Sequence, residues 1–429
     1  MVEEENEEGD FFMAPPSTSA TSSALRSRNM VAVLQLMMNG EPVSRAEISR
    51  RLHISPSTVG RVIADLKNMR LVSEAGAGTS TGGRTPQLLV FEPRVGYAIG
   101  IDISPSSLAV DILDLAGRPV AVHRCSFSSS GDRVMDDVMG VVRGLAGLHQ
   151  VDPEKIMALG VAVPGVVDPA RGIVRLAPNL GWENDYSLLG ELGRYFNPST
   201  EILVENDVNA GAYAEYQERK GDFNSLVFIR IDSGLGAGII LNGEIWRGSR
   251  NLAGEIGFSV VGPQWLNRDY GKRGCLECLC SGPDILARAE EAFGRHGRLS
   301  ELVPRQETPE KRLARLYSLA RQRDSLALKI VEETAQFLSI VIANLACVVD
   351  PDIIVLAGWV LENGDILFER VRQDVHRILL EPPAVELTAV RNADIVVRGV
   401  TSMALEKAQK RLLRSLETLS EATRLTLRT

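Results

Sequence analysis

The chain has 429 residues, 45% of them hydrophobic and 24% charged, a length that exceeds one typical core and predicts two or three globular domains. Its acidic opening, Glu3, Glu4, Glu5, Glu7, Glu8 and Asp10, is the opposite of a secretory or transit signal, and no apolar run approaches the roughly 18 residues that span a bilayer. A soluble cytoplasmic protein with no membrane partner is therefore expected, and five cysteines, three of them crowded at 275, 278 and 280, do not form an extracellular disulfide framework.

The net charge of −8 is spread unevenly: between Leu25 and Pro93 nine Lys and Arg face five acids, a local +4 that leaves −12 for the rest. Such asymmetry marks a small basic module attached to an acidic body. Residues 1 to 24 join the acidic run to "APPSTSATSS", with too little apolar surface to offset ordering entropy, and read as a disordered tail.

Next comes "NMVAVLQLMMNG", a helical apolar pattern stopped by Asn39-Gly40. Ser44 with Glu47 three residues on is a capping box that opens a short second helix. After the turn "LHIS", Ser55 caps a third helix with Pro56 at its first position. Val59, Ile63 and Leu66 share its apolar face, and Thr58, Arg61, Asp65 and Asn68 the polar one. One helix bracing the backbone while the next presents short polar and Arg side chains is the layout of a helix-turn-helix. Ser55, Ser57, Thr58 and Arg61 are the expected DNA contacts, Arg61 as a bidentate partner for guanine. "GAGTSTGGRTPQLLVF" reads as a wing lying along the duplex, with Arg84 at its glycine-rich tip as a further expected DNA contact. The winged helix-turn-helix spans 25–93.

From Tyr97 onward β-rich runs alternate with helical stretches, as α/β layers do. Asp102, Asp207 and Asp232 each fall near the end of a predicted strand, and the carboxyl ends of strands are where open α/β sheets hold ligands.

At this point the motifs carry a resemblance. "SRAEISRRLHISPSTVGRVIADL", "GGRTP", "GVAVPGVVD", "ENDVNAGAYAE", "DSGLGAGIILNGEI", "AGEIG" and "RGCLE" together resemble the repressor branch of the ROK family (repressor, open reading frame, kinase), of the xylose- and N-acetylglucosamine-repressor type. The resemblance implies an α/β actin-like (ribonuclease H-like, ASKHA) two-lobed sugar-kinase body over 94–429. Lobe one would be about 94–207 plus a C-terminal helix at about 400–429, and lobe two about 208–399. It further implies that Asp207 stands where the family's kinases keep a general base. Asn206, Asp207, Glu255 and Glu277, with Asn179 of "APNLGW", match positions that hydrogen-bond a sugar. Double-stranded DNA with a pseudo-palindromic operator, a sugar effector and a homodimer or homotetramer are the implied partners.

Several departures bear on chemistry. Where family kinases have an Asp followed by a small-residue phosphate turn, this chain has "DISPSSLAV", and Pro105 removes a backbone N–H beside Asp102 and Ser104. Gly234, Gly236 and Gly238 survive in the second such turn, yet tight turns need glycine anyway. Trp359 in "VLAGWVL" replaces a small residue of the family's glycine run. These changes predict a degenerate nucleotide site with Asp207 as a vestigial base, and hence no catalytic residue. The family's zinc site also fails: Phe258, Arg268 and Tyr270 replace three ligands and only Cys275 remains, so no metal or other cofactor is expected. The loop is then expected to be held by packing of Phe258, Trp265 and Tyr270, with Cys278 and Cys280 as small apolar residues on the helix after "CLE".

The leading function is a sequence-specific DNA-binding regulator, a repressor controlled by a sugar bound in an inactive kinase-like body. Three alternatives stay open: an active ATP-dependent sugar kinase with an added DNA-binding domain, a constitutive DNA binder without a ligand, and a relocated metal or redox site at Cys275, Cys278 and Cys280.

Overall fold

A computed structural model of the chain describes residues 18–77, 87–219, 223–302 and 307–426. The chain separates into two compact units, residues 1–96 with 114–118 and 407–429, and residues 97–113 with 119–406. No helix among the described residues is long and apolar enough to cross a membrane.

In the first unit, α1 (Thr18–Met37), α2 (Arg45–Leu52) and α3 (Pro56–Asn68) accompany a three-stranded sheet of order β1 (Val43–Ser44), β3 (Gln87–Phe91), β2 (Val72–Ala77), all antiparallel. Val33, Leu34, Met37, Ile48, Val59, Ile63, Leu66 and Leu89 are fully buried and form its core. One sequence boundary moves. The first helix begins at Thr18, so residues 18–24 of the segment read as tail are helical: once the packed turns around Leu34 offset the cost of nucleation, a stretch without Gly or Pro extends them one hydrogen bond per residue. The wing's two strands pair as expected, while its tip and Arg84 lie outside the described residues.

The second unit opens with β4 (Tyr97–Ile103), β5 (Ser107–Asp114), β6 (Pro119–Ser126), α4 (Arg133–Leu148) and β7 (Ile156–Val163). A small antiparallel sheet of β8 (Val166–Asp168), β9 (Ile173–Leu176) and β10 (Tyr186–Ser187) follows, then α5 (Leu188–Leu192), β11 (Glu201–Asn206) and α6 (Asp207–Glu218). The remaining strands are β12 (Ser225–Ile231), β13 (Leu235–Leu241), β14 (Glu244–Ile245), β15 (Ile353–Ala357) and β16 (Ala384–Leu387). Between β14 and β15 lie α7 (Glu277–Cys280), α8 (Gly282–Arg295), α9 (Leu299–Leu302), α10 (Pro309–Arg321) and α11 (Ser325–Val349); α12 (Asp365–Ile378) precedes β16 and α13 (Ile395–Thr426) ends the chain.

Two five-stranded sheets result, of order β11-β7-β4-β5-β6 and β16-β15-β12-β13-β14. In each, the first three strands run parallel and the last two are joined antiparallel. One core lies between the first sheet and α4, another between the second sheet and α8, α10, α11 and α12. A third, with Ala210, Ala212, Phe228, Val355 and Ile395, surrounds α6 and the start of α13. This is the two-lobed α/β body expected. The end of α13 departs from expectation: Val400 and Thr401 pack on Gly160 and Gly100 of the first sheet, whereas residues from 407 group with the first unit. There the Gln409 side chain donates to the Leu115 carbonyl at 2.8 Å.

Candidate functional site

The start of α3 is built by local hydrogen bonding. The Ser55 hydroxyl accepts the Thr58 N–H at 3.2 Å and lies 3.0 and 2.9 Å from the Ser57 and Thr58 hydroxyls, an N-cap of the usual kind. Ser44 caps α2 in the same way, accepting the Glu47 N–H. The capping box is only half formed, because the Glu47 carboxylate turns to Arg50 and Arg51. With Val59, Val62, Ile63 and Leu66 buried, α3 turns Ser57, Arg61 and Ala64 outward and leaves Thr58 half-buried. Asp65, read as part of that polar face, is bound by the Arg26 guanidinium at 2.6 and 2.9 Å. Ser55 likewise has its hydroxyl committed to the cap, so Ser57 and Arg61 are the exposed groups, with Thr58 half-buried beside them.

In the second unit the three aspartates sit at strand ends: Asp102 next to last on β4, Asp207 directly after β11 and Asp232 directly after β12. Between them stands a residue that sequence reasoning missed. Arg230, next to last on β12, lies 3.3 Å from the Asp207 carboxylate and 2.6 Å from that of Asp232. Burial pushes the Asp102 carboxyl up to about 7, opposed by the Arg230 charge and reinforced by Asp207. Asp207 is raised for the same first reason, and Arg230 counteracts it. Glu255 completes the group: burial raises its pKa, and the charges of Asp207 and Glu277 add to the effect. Glu277 starts α7 and receives the Arg273 Nε–H at 2.6 Å, a second partner that sequence reasoning did not single out.

The Asn206 side chain is engaged within the chain. Its side-chain oxygen caps α6 by accepting the Val208 and Asn209 N–H groups at 2.9 and 3.0 Å, and its amide donates to the Gly165 carbonyl and to Asp207. An Asn side chain has two donors and two acceptor positions, and all four are occupied. Asn-Asp before a helical run is a cap signal that could have been read. Asn179 is exposed and lines a polar cavity of about 430 Å³ with Pro105, Ser128, Ser130, Arg133 and Asp137, a cavity whose lining includes none of Asp207, Glu255 and Glu277. Glu205, also unremarked in the sequence, is buried and accepts from Asn206, Asn209 and Arg247, which fixes the "END" turn from behind.

The turns that resemble phosphate sites have other tasks. Ser104 donates to Asp102 at 3.3 Å, and Pro105 borders the polar cavity. Gly236 and Gly238 belong to β13, where α6 approaches so closely that a Cβ on Gly238 would meet the Ala212 side chain at 2.5 Å. Gly234 lies beside Glu277. Trp359 donates its backbone N–H to Asp232 at 2.7 Å and lays its ring on Gly282, where a Cβ would fall 2.0 Å from a ring carbon.

The loop before Cys275 is held by aromatic and cationic contacts. The Arg268 guanidinium lies 4.2 Å over the Trp265 ring, Tyr270 donates to the Trp265 carbonyl at 2.9 Å, and Trp265 meets Phe337 edge-on. Two replacements of expected zinc ligands thus brace the loop. Phe258 corrects the expectation: it is 57% exposed, because Ile256 and Gly257 take the inward side of that 3₁₀ turn. Cys275 and Cys280 are buried, and burial raises the Cys280 and Cys278 thiols. Among the described residues no three His, Cys, Asp or Glu side chains are gathered as a metal cage.

The ROK family model matches residues 98–405, and an HTH domain model matches 28–79. The chain is 27% identical over 361 residues to the xylose repressor of Bacillus spizizenii (83% of this chain, 88% of that one). It is likewise 27% identical over 366 residues to the DNA-binding transcriptional dual regulator NagC of Escherichia coli K12 (85% and 88%). In fold it is similar to a crystallised ROK family transcriptional regulator, a homologue of the E. coli MLC protein, with a TM-score of 0.70 at 21% identity over 92% of this chain and 99% of that one.

Proposed function

The chain belongs to the ROK family, and on that premise we propose that it is a sequence-specific DNA-binding repressor whose kinase-like body senses a sugar. One observation carries the reading: a capped helix presents exposed Ser57 and Arg61, with Thr58 half-buried beside them, in a unit separate from a body in which Asp207, Glu255 and Glu277 lie within reach of one another's charge. Short polar side chains and one Arg on the first turns of such a helix suit base edges in a major groove. Neighbouring carboxylates suit the O–H donors of a polyol. The relatives named xylose repressor and NagC support the same assignment.

The body acts as a sensor without turnover. A general base must be free to accept a proton, and Asp207 is paired with Arg230. Phosphoryl transfer also needs charge-stabilising donors around the phosphates; the Pro105 nitrogen carries no hydrogen to give, and Asp232 is occupied by Arg230 and Trp359. Neither nucleotide nor zinc is required, since Arg268 and Tyr270 already brace the loop. The acting form is a two-fold homodimer, or a pair of them, that sets two α3 helices on a pseudo-palindromic operator.

The test is selection of genomic DNA fragments on the purified protein at near-physiological salt, repeated with a panel of sugars. Enrichment of a pseudo-palindrome released by one sugar is expected. Absence of any enriched sequence, with sugar-stimulated ATP consumption, would overturn the reading in favour of a kinase.

A further inference from the structure

α11 buries most of its length among the second sheet, α8, α10 and α12, yet one side of it stays in solvent. Lys329, Gln336, Ile340, Asn344 and Cys347 are exposed, with Glu333 half-buried among them. Their spacings of three and four residues place them on one face, with Val348 at its edge. Ile340 is 38% exposed and Val348 84%, and from Thr334 to Val349 the helix holds no charged residue. The solvent side of a helix normally carries its charges, whereas a surface without them has the composition of an interface core. α12 ends at the same edge of the sheet as α11, because the strands that follow them, β16 and β15, run parallel. There it leaves Ile378 and Leu380 exposed as well.

The ends of the stripe choose its occupant. Lys329 closes one end with its side chain 73% exposed, 3.9 Å from Glu333, and the exposed Asp350 caps the other. A second α11 laid parallel would bring like charge against like at both ends. Laid antiparallel, it sets Lys329 of each copy toward Asp350 of the other and opposes the two helix dipoles. A two-fold axis beside Ile340 then packs that side chain on its own copy and puts Gln336 opposite Asn344, amide to amide. We propose that this neutral stripe of α11 is the surface on which two copies of the chain pair, antiparallel about Ile340. The inference rests on the two-fold assembly proposed above and names its surface, while using none of the residues assigned to DNA or sugar.

Sedimentation velocity on the full-length protein over a concentration series tests this, with circular dichroism confirming that each variant is folded. Ile340→Glu should weaken the dimer at least about thirtyfold, since a central apolar contact becomes a pair of like charges at the axis. Lys329→Glu should weaken it about threefold. Adding Asp350→Asn, which removes the new repulsion and keeps a residue that accepts the left-handed cap conformation, should recover most of that loss. Under mild oxidation Ile340→Cys should form a disulfide with its own copy, while the native chain, whose Cys347 lies about two turns from the axis, should not. A dimer of native strength in Ile340→Glu overturns the surface and leaves the two-fold assembly standing on another one. A chain that is monomeric at every concentration overturns both. A disulfide through Cys347 in the native chain, with none formed in Ile340→Cys, would overturn the pairing about Ile340.

Discussion

The two five-stranded sheets of the body share one pattern of parallel and antiparallel strands, yet the turns at their carboxyl ends treat a strand-end aspartate in different ways. At the end of β4, Asp102 has Ser104 as its donor, and burial raises its carboxyl to about 7. After β12, Asp232 receives the Arg230 Nε–H and the Trp359 N–H. In the first turn burial raises the carboxyl, and in the second the half-buried carboxylate is held by an ion pair. The comparison teaches that a repeated backbone does not repeat a site: both turns could hold a ligand at a strand end, but what each does is decided by one neighbouring side chain.

The largest expected effect comes from removing the ion pair. Arg230→Met leaves Asp207 and Asp232 with a lost partner in a mostly buried place, and breaking such a pair costs about 3 kcal/mol. Urea unfolding should show this as a lower midpoint with an unchanged slope. A loss below about 0.5 kcal/mol would mean that both turns depend on protonation and that the contrast is false.

The first turn is tested by pH. Asp102 has an ordinary value of 3.8 and is raised to about 7 in the folded protein. Between those values the folded state holds a proton that the unfolded chain has released, so stability falls as pH rises from about 4 to 7 and is flat above. The range is a few kcal/mol at most, since each tenfold difference in proton affinity between the two states corresponds to about 1.4 kcal/mol. Asp102→Asn should flatten that part of the stability profile. An unaltered slope would assign it to another group and remove the proton from the first turn's account.

A smaller effect is expected at Gly282, against which Trp359 closes the second turn. Adding a methyl group there forces the ring aside, and overpacking of this kind costs about 1–3 kcal/mol. Near-ultraviolet circular dichroism should report the displaced indole, while the α3 unit keeps its own unfolding behaviour. An unmoved tryptophan signal would mean that the close approach at Gly282 does not hold the ring.

What was legible in the sequence follows from range. The caps at Ser44 and Ser55 are set by partners three residues away, and the strand-end aspartates by the alternation of strand and helix, so both could be read directly. Asn206 was legible too, but its match to a sugar-binding position obscured an ordinary cap. Arg230 was signalled by a charge inside the buried run "LVFIRI", although one partner, Asp207, lies far upstream and the other, Asp232, just downstream, and only folding shows that one guanidinium reaches both. Phe258 was misjudged because hydrophobicity predicts burial, while the 3₁₀ turn decides which of three adjacent residues faces in. The split of α13 between the two units leaves no mark in its periodicity.

The smallest expected effect is also the sharpest test of why the two turns differ in consequence. Pro105→Gly restores a backbone N–H to the first turn and should cost no more than about 1 kcal/mol, chiefly through the greater freedom of the unfolded chain. If, on the proposed sensor reading, the missing donor alone withheld phosphoryl transfer, this variant would gain sugar-dependent ATP turnover. It should not, because Arg230 still engages Asp207, and the guanidinium charge opposes the proton that a base in that position would have to accept. Turnover in Pro105→Gly alone would place the block in the first turn. Turnover that appears only when Arg230 is also replaced would place it in the second, at the ion pair between Arg230 and Asp207.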